Sequence, residues 1–270
     1  MINPVRTDPF IFRWAVSGAG YEWLPGRDNK DIHLVPCDEP GVGVYVKEPP
    51  SGLFFEFAAL KPSQKSIAAF ADEHGDLFET FSGFGDMVIR DNRTVAVGTS
   101  LTDWKRAIED MRQLVTLWGH IKQRQLAELK KIITRNDKGI SYTVGGRYVL
   151  LAHAEIVLDV PFRRFAPKDV LLPAKYALQK ELNRRLSDPV TFCVPQLAWT
   201  PDTPANHQRI IFRPNNLLAA MWLRFAQAVT EEFQLRVCEG CGKYFQVGPG
   251  GRRADAKTCG DACRQRKNRP

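Results

Sequence analysis

Apolar residues three and four positions apart dominate four stretches of this chain, and shorter β-prone runs separate them. The longest helical pattern follows Ser100-Leu101-Thr102-Asp103, a capped start. Leu101, Trp104, Ile108, Met111, Leu114, Trp118, Ile121, Leu129 and Ile132 or Ile133 then keep near-helical spacing as far as Asn136-Asp137-Lys138-Gly139, with a break expected around Gly119. Two tryptophans and a methionine on such a stripe read as the buried face of a helix. A second helix opens at Pro62-Ser63, places Ile67, Phe70 and Ala71 on one face and stops at Gly75. In a third, Asp169 to Ser187, Leu171, Leu178, Leu182 and Leu186 face inward and Lys175, Lys180, Glu181, Arg184 and Arg185 outward. The fourth begins near Pro214, presents Leu217, Leu218, Met221, Trp222, Phe225 and Val229, and ends at Glu231-Glu232.

Between these lie β-prone or irregular segments. Pro9 to Val46 is aromatic and turn-rich, which predicts short strands and loops. Ser51 to Leu60, with Phe54, Phe55 and Phe57, is a strand candidate, while residues 80–99 are Gly-rich and read as irregular. Ile140 to Val144, a Gly145-Gly146 turn and the apolar run Tyr148 to Val160 favour β structure. The prolines of Pro189 to Trp199 place that strand at an edge. The pattern predicts an α+β fold: a mainly helical body with short strands over residues 1–232, then a small finger over residues 233–270. Five residues without Gly or Pro separate Glu232 from Cys238, so the finger is expected to dock on the body.

Composition adds bounds. The chain has 270 residues, 44% apolar and 25% charged, as a globular protein does. No apolar run approaches the roughly 20 residues a membrane span needs. Met1 to Pro9 carries no apolar core of a secretion signal, which predicts a reducing, cytoplasmic setting. Net charge is +8, and its placement is uneven: Arg236 to Pro270 holds nine Lys+Arg against three acids, while the first 235 residues hold 29 against 27.

That basic tail contains four of the six cysteines, as Cys238-x2-Cys241, 17 intervening residues, and Cys259-x3-Cys263. Two short cysteine pairs can supply four thiolates to one tetrahedral Zn2+ and leave no open position, so the metal is expected to be structural. A 35-residue tail buries too little apolar surface to fold alone, whereas zinc contributes on the order of 10 kcal/mol of apparent folding free energy. The local pattern predicts a knuckle at Cys238 to Gly242, a strand from Lys243 to Val247, a turn at Gly248 to Gly251, a return strand from Arg252 to Thr258, and a helix bearing the last ligand. That order is a treble-clef finger. Two disulfides, or four reduced cysteines with no metal, are the competing readings of the same cysteines, and Cys37 and Cys193 read as ordinary small apolar residues.

Clustered cations favour a polyanion, because binding a phosphate backbone releases its counterions. The expected partner is a nucleic acid, DNA ahead of RNA, met by Arg252, Arg253, Lys257, Arg264, Arg266, Lys267 and Arg269. On a short helix with charge all round its axis, these residues suit phosphate positioning better than base reading. The alternative is a zinc-stabilised protein-interaction or structural module that touches no nucleic acid. A zinc deaminase is the enzyme to weigh, since His153-Ala154-Glu155 followed by Cys238-x2-Cys241 echoes its pattern. Against it, Val237 stands where that motif needs proline, and Cys259 and Cys263 would have no role. No other catalytic motif is found, so the expectation is a protein that is not an enzyme.

Two stretches, Leu53-Phe54-Phe55-Glu56-Phe57-Ala58-Ala59-Leu60 and Ile67-Ala68-Ala69-Phe70-Ala71-Asp72-Glu73-His74-Gly75-Asp76-Leu77, together with the cysteine finger, resemble bacterial proteins that pair an ABATE-type helical domain with a C-terminal CGNR-type zinc finger. The family signature has Gly-Asn-Arg after the last ligand, where this chain has Arg264-Gln265-Arg266. The resemblance implies a stress-linked transcriptional regulator, with the metal role on the four tail cysteines and a DNA-contact role on the basic residues beside them.

Overall fold

A computed structural model describes residues 14–26, 30–37, 45–47, 50, 52–78, 86–90, 93–156, 162–191, 193–199, 208–230, 234–241, 244–248 and 252–267. Within them the elements are β1 (Trp14–Val16), β2 (Tyr21–Pro25), β3 (Ile32–Pro36), β4 (Tyr45–Lys47), α1 (Leu53–Ala59), α2 (Gln64–His74), β5 (Asp86–Arg90) and β6 (Arg93–Ser100). There follow α3 (Leu101–Lys122), α4 (Leu126–Ile132), β7 (Ile133–Asn136), β8 (Gly139–Val144), β9 (Arg147–His153) and α5 (Leu171–Leu186). The last are β10 (Cys193–Trp199), β11 (Gln208–Pro214), α6 (Leu217–Thr230), β12 (Gln234–Val237), β13 (Tyr244–Val247) and α7 (Asp261–Lys267). Helices mix with short antiparallel strands, so the fold is α+β as the pattern predicts.

The chain forms two compact units. The first takes Met1–Pro50, Lys61–Trp104 and Arg185–Leu223. Its main sheet has the order β2-β3-β6-β5, and β10 pairs with β11 in a separate ribbon. Ser63 caps α2 by accepting from the Ser66 amide, and Gly75 ends the helix at φ 96°, a conformation that disfavours a Cβ. Ile67, Phe70 and Ala71 are buried as expected. Trp14 donates its indole N–H to the His74 carbonyl. Of residues 80–99, expected to be irregular, 86–90 and 93–99 instead lie on the paired strands β5 and β6, with a bulge between Val88 and Ile89; the rest fall outside the described residues. Gly98 explains part of the misreading: a Cβ there would meet the Leu34 carbonyl oxygen at 2.5 Å, so the glycine serves close strand approach and not a loop. Cys193 on β10 directs its thiol toward the Ala219 carbonyl, and burial pushes it up to about 12.

Among the described residues of this unit, one carboxyl is buried. Asp76 accepts a 2.7 Å hydrogen bond from Thr99 Oγ1, yet burial outweighs that help and raises it to about 7.

The second unit takes Ser51–Leu60, Lys105–Arg184 and Arg224–Pro270. Ser51 to Leu60 was a strand candidate; here Leu53–Ala59 is helical, because Leu53, Phe54, Phe57 and Ala58 are buried at helical and not alternating spacing. Phe54 stacks on Phe225 at 5.1 Å, and Trp118 lies 5.4 Å from the same ring. Arg112 reaches the open end of α1, donating to the carbonyls of Ala58 at 3.0 Å and Leu60 at 2.6 Å.

The long helical pattern breaks later than expected. Gly119 lies inside α3, and the helix ends beyond it, with the Gln125 amide donating to the His120 carbonyl and the Arg124 amide to that of Ile121. These two bonds make a Schellman closure, and they place Arg124 at φ 51° where glycine is usual. After α4 the chain enters β7 at Ile133, and β7-β8-β9 form a three-stranded antiparallel sheet with Gly145-Gly146 turning the second hairpin. Asp169 starts α5 by accepting from the amides of Leu171 and Leu172. Glu181, expected outward on α5, is buried. It accepts from Tyr142 Oη at 2.9 Å and from Arg184 at 2.8 and 3.0 Å, so the charge is paired where it is buried.

Candidate metal centre

β12 and β13 pair antiparallel from Gln234↔Val247 to Val237↔Tyr244, and the first two cysteines occupy the tip of that hairpin. The knuckle is therefore part of the hairpin, which corrects one expectation. Residues 252–258 form turns and not a return strand; Arg252 makes only an isolated bridge to Val247. Cys259 precedes α7 and Cys263 lies in its first turn, so the order from knuckle to ligand-bearing helix is the treble-clef order.

The four sulfurs lie within 4.8 Å of one another. Cys241 Sγ is 3.7 Å from Cys259 Sγ, which is 3.5 Å from Cys263 Sγ, and no cysteine forms a disulfide. A tetrahedron with metal–sulfur bonds of about 2.3 Å has edges of about 3.8 Å, so these separations suit one shared ion. Amides support the cluster: Gly240 N–H and Cys259 N–H point at Cys238 Sγ at 3.4 and 3.3 Å. Burial alone would raise the Cys238 thiol, but these donors prevail and bring it down to about 6. Cys259 moves the other way, pushed up by burial and by its neighbouring thiols. Sulfurs this crowded cannot all carry negative charge cheaply unless a cation lies among them.

Gly240 is required by close approach. A Cβ there would lie 2.7 Å from the Cys263 carbonyl oxygen and 3.0 Å from its Cβ. Among the described residues, Phe245 and Val247 join Cys238 and Cys263 in the buried cluster with Ala256 partly buried against it, so apolar support for the finger is thin.

The finger is seated on the end of α3. The Tyr244 ring packs directly against Gly119, where a Cβ would collide with it. Its hydroxyl donates to Gln125 Oε1 at 3.2 Å and lies 3.4 Å from His120 Nδ1. Gln123 Nε2 donates to the Leu235 carbonyl at 3.0 Å. Sequence reading named Gly119 as a break and passed over Tyr244; an aromatic residue in the finger strand facing a lone helical glycine was the available signal.

The basic residues are less uniform than their clustering suggests. Arg252, Arg253, Lys257 and Arg264 are exposed. Arg252 Nε is committed to the Cys259 carbonyl at 3.1 Å, and Arg264 pairs with Asp261 at 3.3 Å across one exposed turn. Arg266 and Lys267 lie on α7 with side chains outside the described ones, and Arg269 falls outside the described residues. His153, the deaminase candidate, ends β9 and accepts the Glu155 amide proton at Nδ1. Among the described residues no histidine joins the four sulfurs. No helix among them is long and apolar enough to cross a membrane.

Comparison of the chain with models of known families, with curated proteins and with solved structures finds no match.

Proposed function

We propose that this protein is a zinc-finger nucleic-acid-binding regulator in which one structural Zn2+ on Cys238, Cys241, Cys259 and Cys263 organises a basic surface. The observation that carries the metal half is the tetrahedral separation of the four sulfurs. Zinc suits this set best, since four thiolates favour it over harder cations and saturate its coordination. The ion would hold knuckle and helix together and take no part in chemistry. Supporting the nucleic-acid half are the exposed Arg253, Lys257 and Arg264 beside the cluster. The likeness to ABATE and CGNR proteins points to the same class, and its two N-terminal stretches fall on helices α1 and α2.

A second reading has its own support. Tyr244 seated over Gly119 makes the finger a clamp on α3, a role that needs no polyanion. Metal analysis with a salt titration on random duplex DNA separates the two. Regulator function predicts one zinc per chain and a log–log slope of about −0.9 per phosphate contact. Zinc without binding at low salt would leave the clamp alone.

A further inference from the structure

Charge divides between the two units more sharply than it divides along the chain. The unit that contains the finger holds 26 Lys+Arg against 14 Asp+Glu, whereas the other holds 12 against 16. Counting in chain order hides this, because acids of one unit interleave with bases of the other. The cations of the second unit therefore extend beyond the finger, and the seat of the finger shows where some of them stand. Lys122 and Arg124 flank Gln123, which donates to Leu235, and Arg236 is the next residue along β12. The hydrogen bond thus joins two chain segments that carry three basic positions at one corner, Lys122 at the end of α3, Arg124 just past it and Arg236 on the finger.

Arg124 carries a second, independent sign. It occupies the left-handed position of the Schellman closure at φ 51°, the only non-glycine with positive φ among the described residues. Any L side chain there gives up stability that glycine would keep. Its side chain is exposed, and among the described residues no acid pairs with it, so no ion pair offsets the backbone cost. A strained backbone holding an unpaired cation beside a basic finger marks that residue as a candidate ligand contact.

We propose that Arg124, with Lys122 and Arg236, forms a second phosphate-contacting patch, so that the nucleic-acid surface runs from the finger onto the α3–α4 corner. This rests on the nucleic-acid reading above. Three isolated cations at a corner contact backbone phosphates and carry no base preference.

Arg124→Gly tests it without a folding penalty, because glycine is the better residue for that backbone. The variant is expected to melt no lower than the wild type. It should bind a short random-sequence DNA duplex about eightfold more weakly near 0.1 M salt, with a log–log slope smaller by about 0.9, the value of one lost phosphate contact. Arg236→Ala should behave alike, and Lys168→Ala, an exposed lysine outside both corner and finger, should leave the slope unchanged. If wild-type protein binds and Arg264→Ala weakens it while Arg124→Gly and Arg236→Ala do not, the patch is overturned and the finger reading stands. An equal loss in Lys168→Ala overturns the patch as well, by showing that net charge acts from anywhere. Wild-type protein that binds no duplex at low salt overturns both readings.

Discussion

The aromatic core of the second unit and the finger in the same unit are held by different means. Around α3, Phe54, Trp118 and Phe225 bury large rings against one another, and such contact area persists whatever ions are present. The finger offers Phe245, Val247 and four sulfurs. One region is held by exclusion of water; the other, on the metal reading proposed above, would be held by coordination bonds between short chain segments. Two adjoining parts of one unit should therefore fail under different insults.

Chelation should give the largest effect. Removing the metal, or Cys238→Ser, should cost on the order of 10 kcal/mol of apparent finger stability and open residues 234–267 to protease, while the near-UV signal of Trp118 stays native. Loss of that signal together with the metal would collapse the distinction. Trp118→Ala reverses the experiment: it should cost about 3–5 kcal/mol in denaturant melts at unchanged zinc content.

A third test sharpens the contrast with pH, in the first unit. Asp76 is raised by burial to about 7 from an ordinary 3.8, so its neutral form is the one the fold favours. Between those values the unfolded chain has released this proton and the folded one has not. Stability from this group is thus fully present below about pH 4, falls as pH rises, and is lowest above 7, by at most about 4 kcal/mol. Asp76→Asn can still accept from Thr99, so it should flatten that decline in pH-dependent melts and stabilise the protein most at alkaline pH. A profile unchanged by the substitution would show that Asp76 is ionised in the fold. Gly119→Ala should be smaller still, about 1–3 kcal/mol, since Tyr244 must move from the new Cβ. Tyr244→Leu in the same chain should restore part of it, read as protease resistance of the finger.

Some of this was readable in residue order and some was not. The cysteine spacings, the Ser63 cap and the Gly145-Gly146 turn are local, and local chemistry decides them. The Ser100 cap likewise holds, its hydroxyl accepting from the Asp103 amide at 3.0 Å. Three phenylalanines within four residues raised β propensity at 53–59, but burial against Phe225 and Trp118 selected the helix. Glu181 looked like a solvated charge because its partner Tyr142 is 39 residues away. Residues 252–258 alternate like a strand, yet β13 already pairs with β12 across the knuckle. Arg124 was hidden by the opposite habit, since a helix stop was sought at glycine.

The burial of Cys193 bears on how this protein can be assayed. A thiol raised by burial to about 12 stays protonated at neutral pH and reacts slowly with alkylating reagents. Sulfhydryl titration of the native molecule therefore reports little beyond the half-buried Cys37 and the tail quartet. Maleimide uptake followed over time then becomes a direct clock for release of the ion proposed for the quartet.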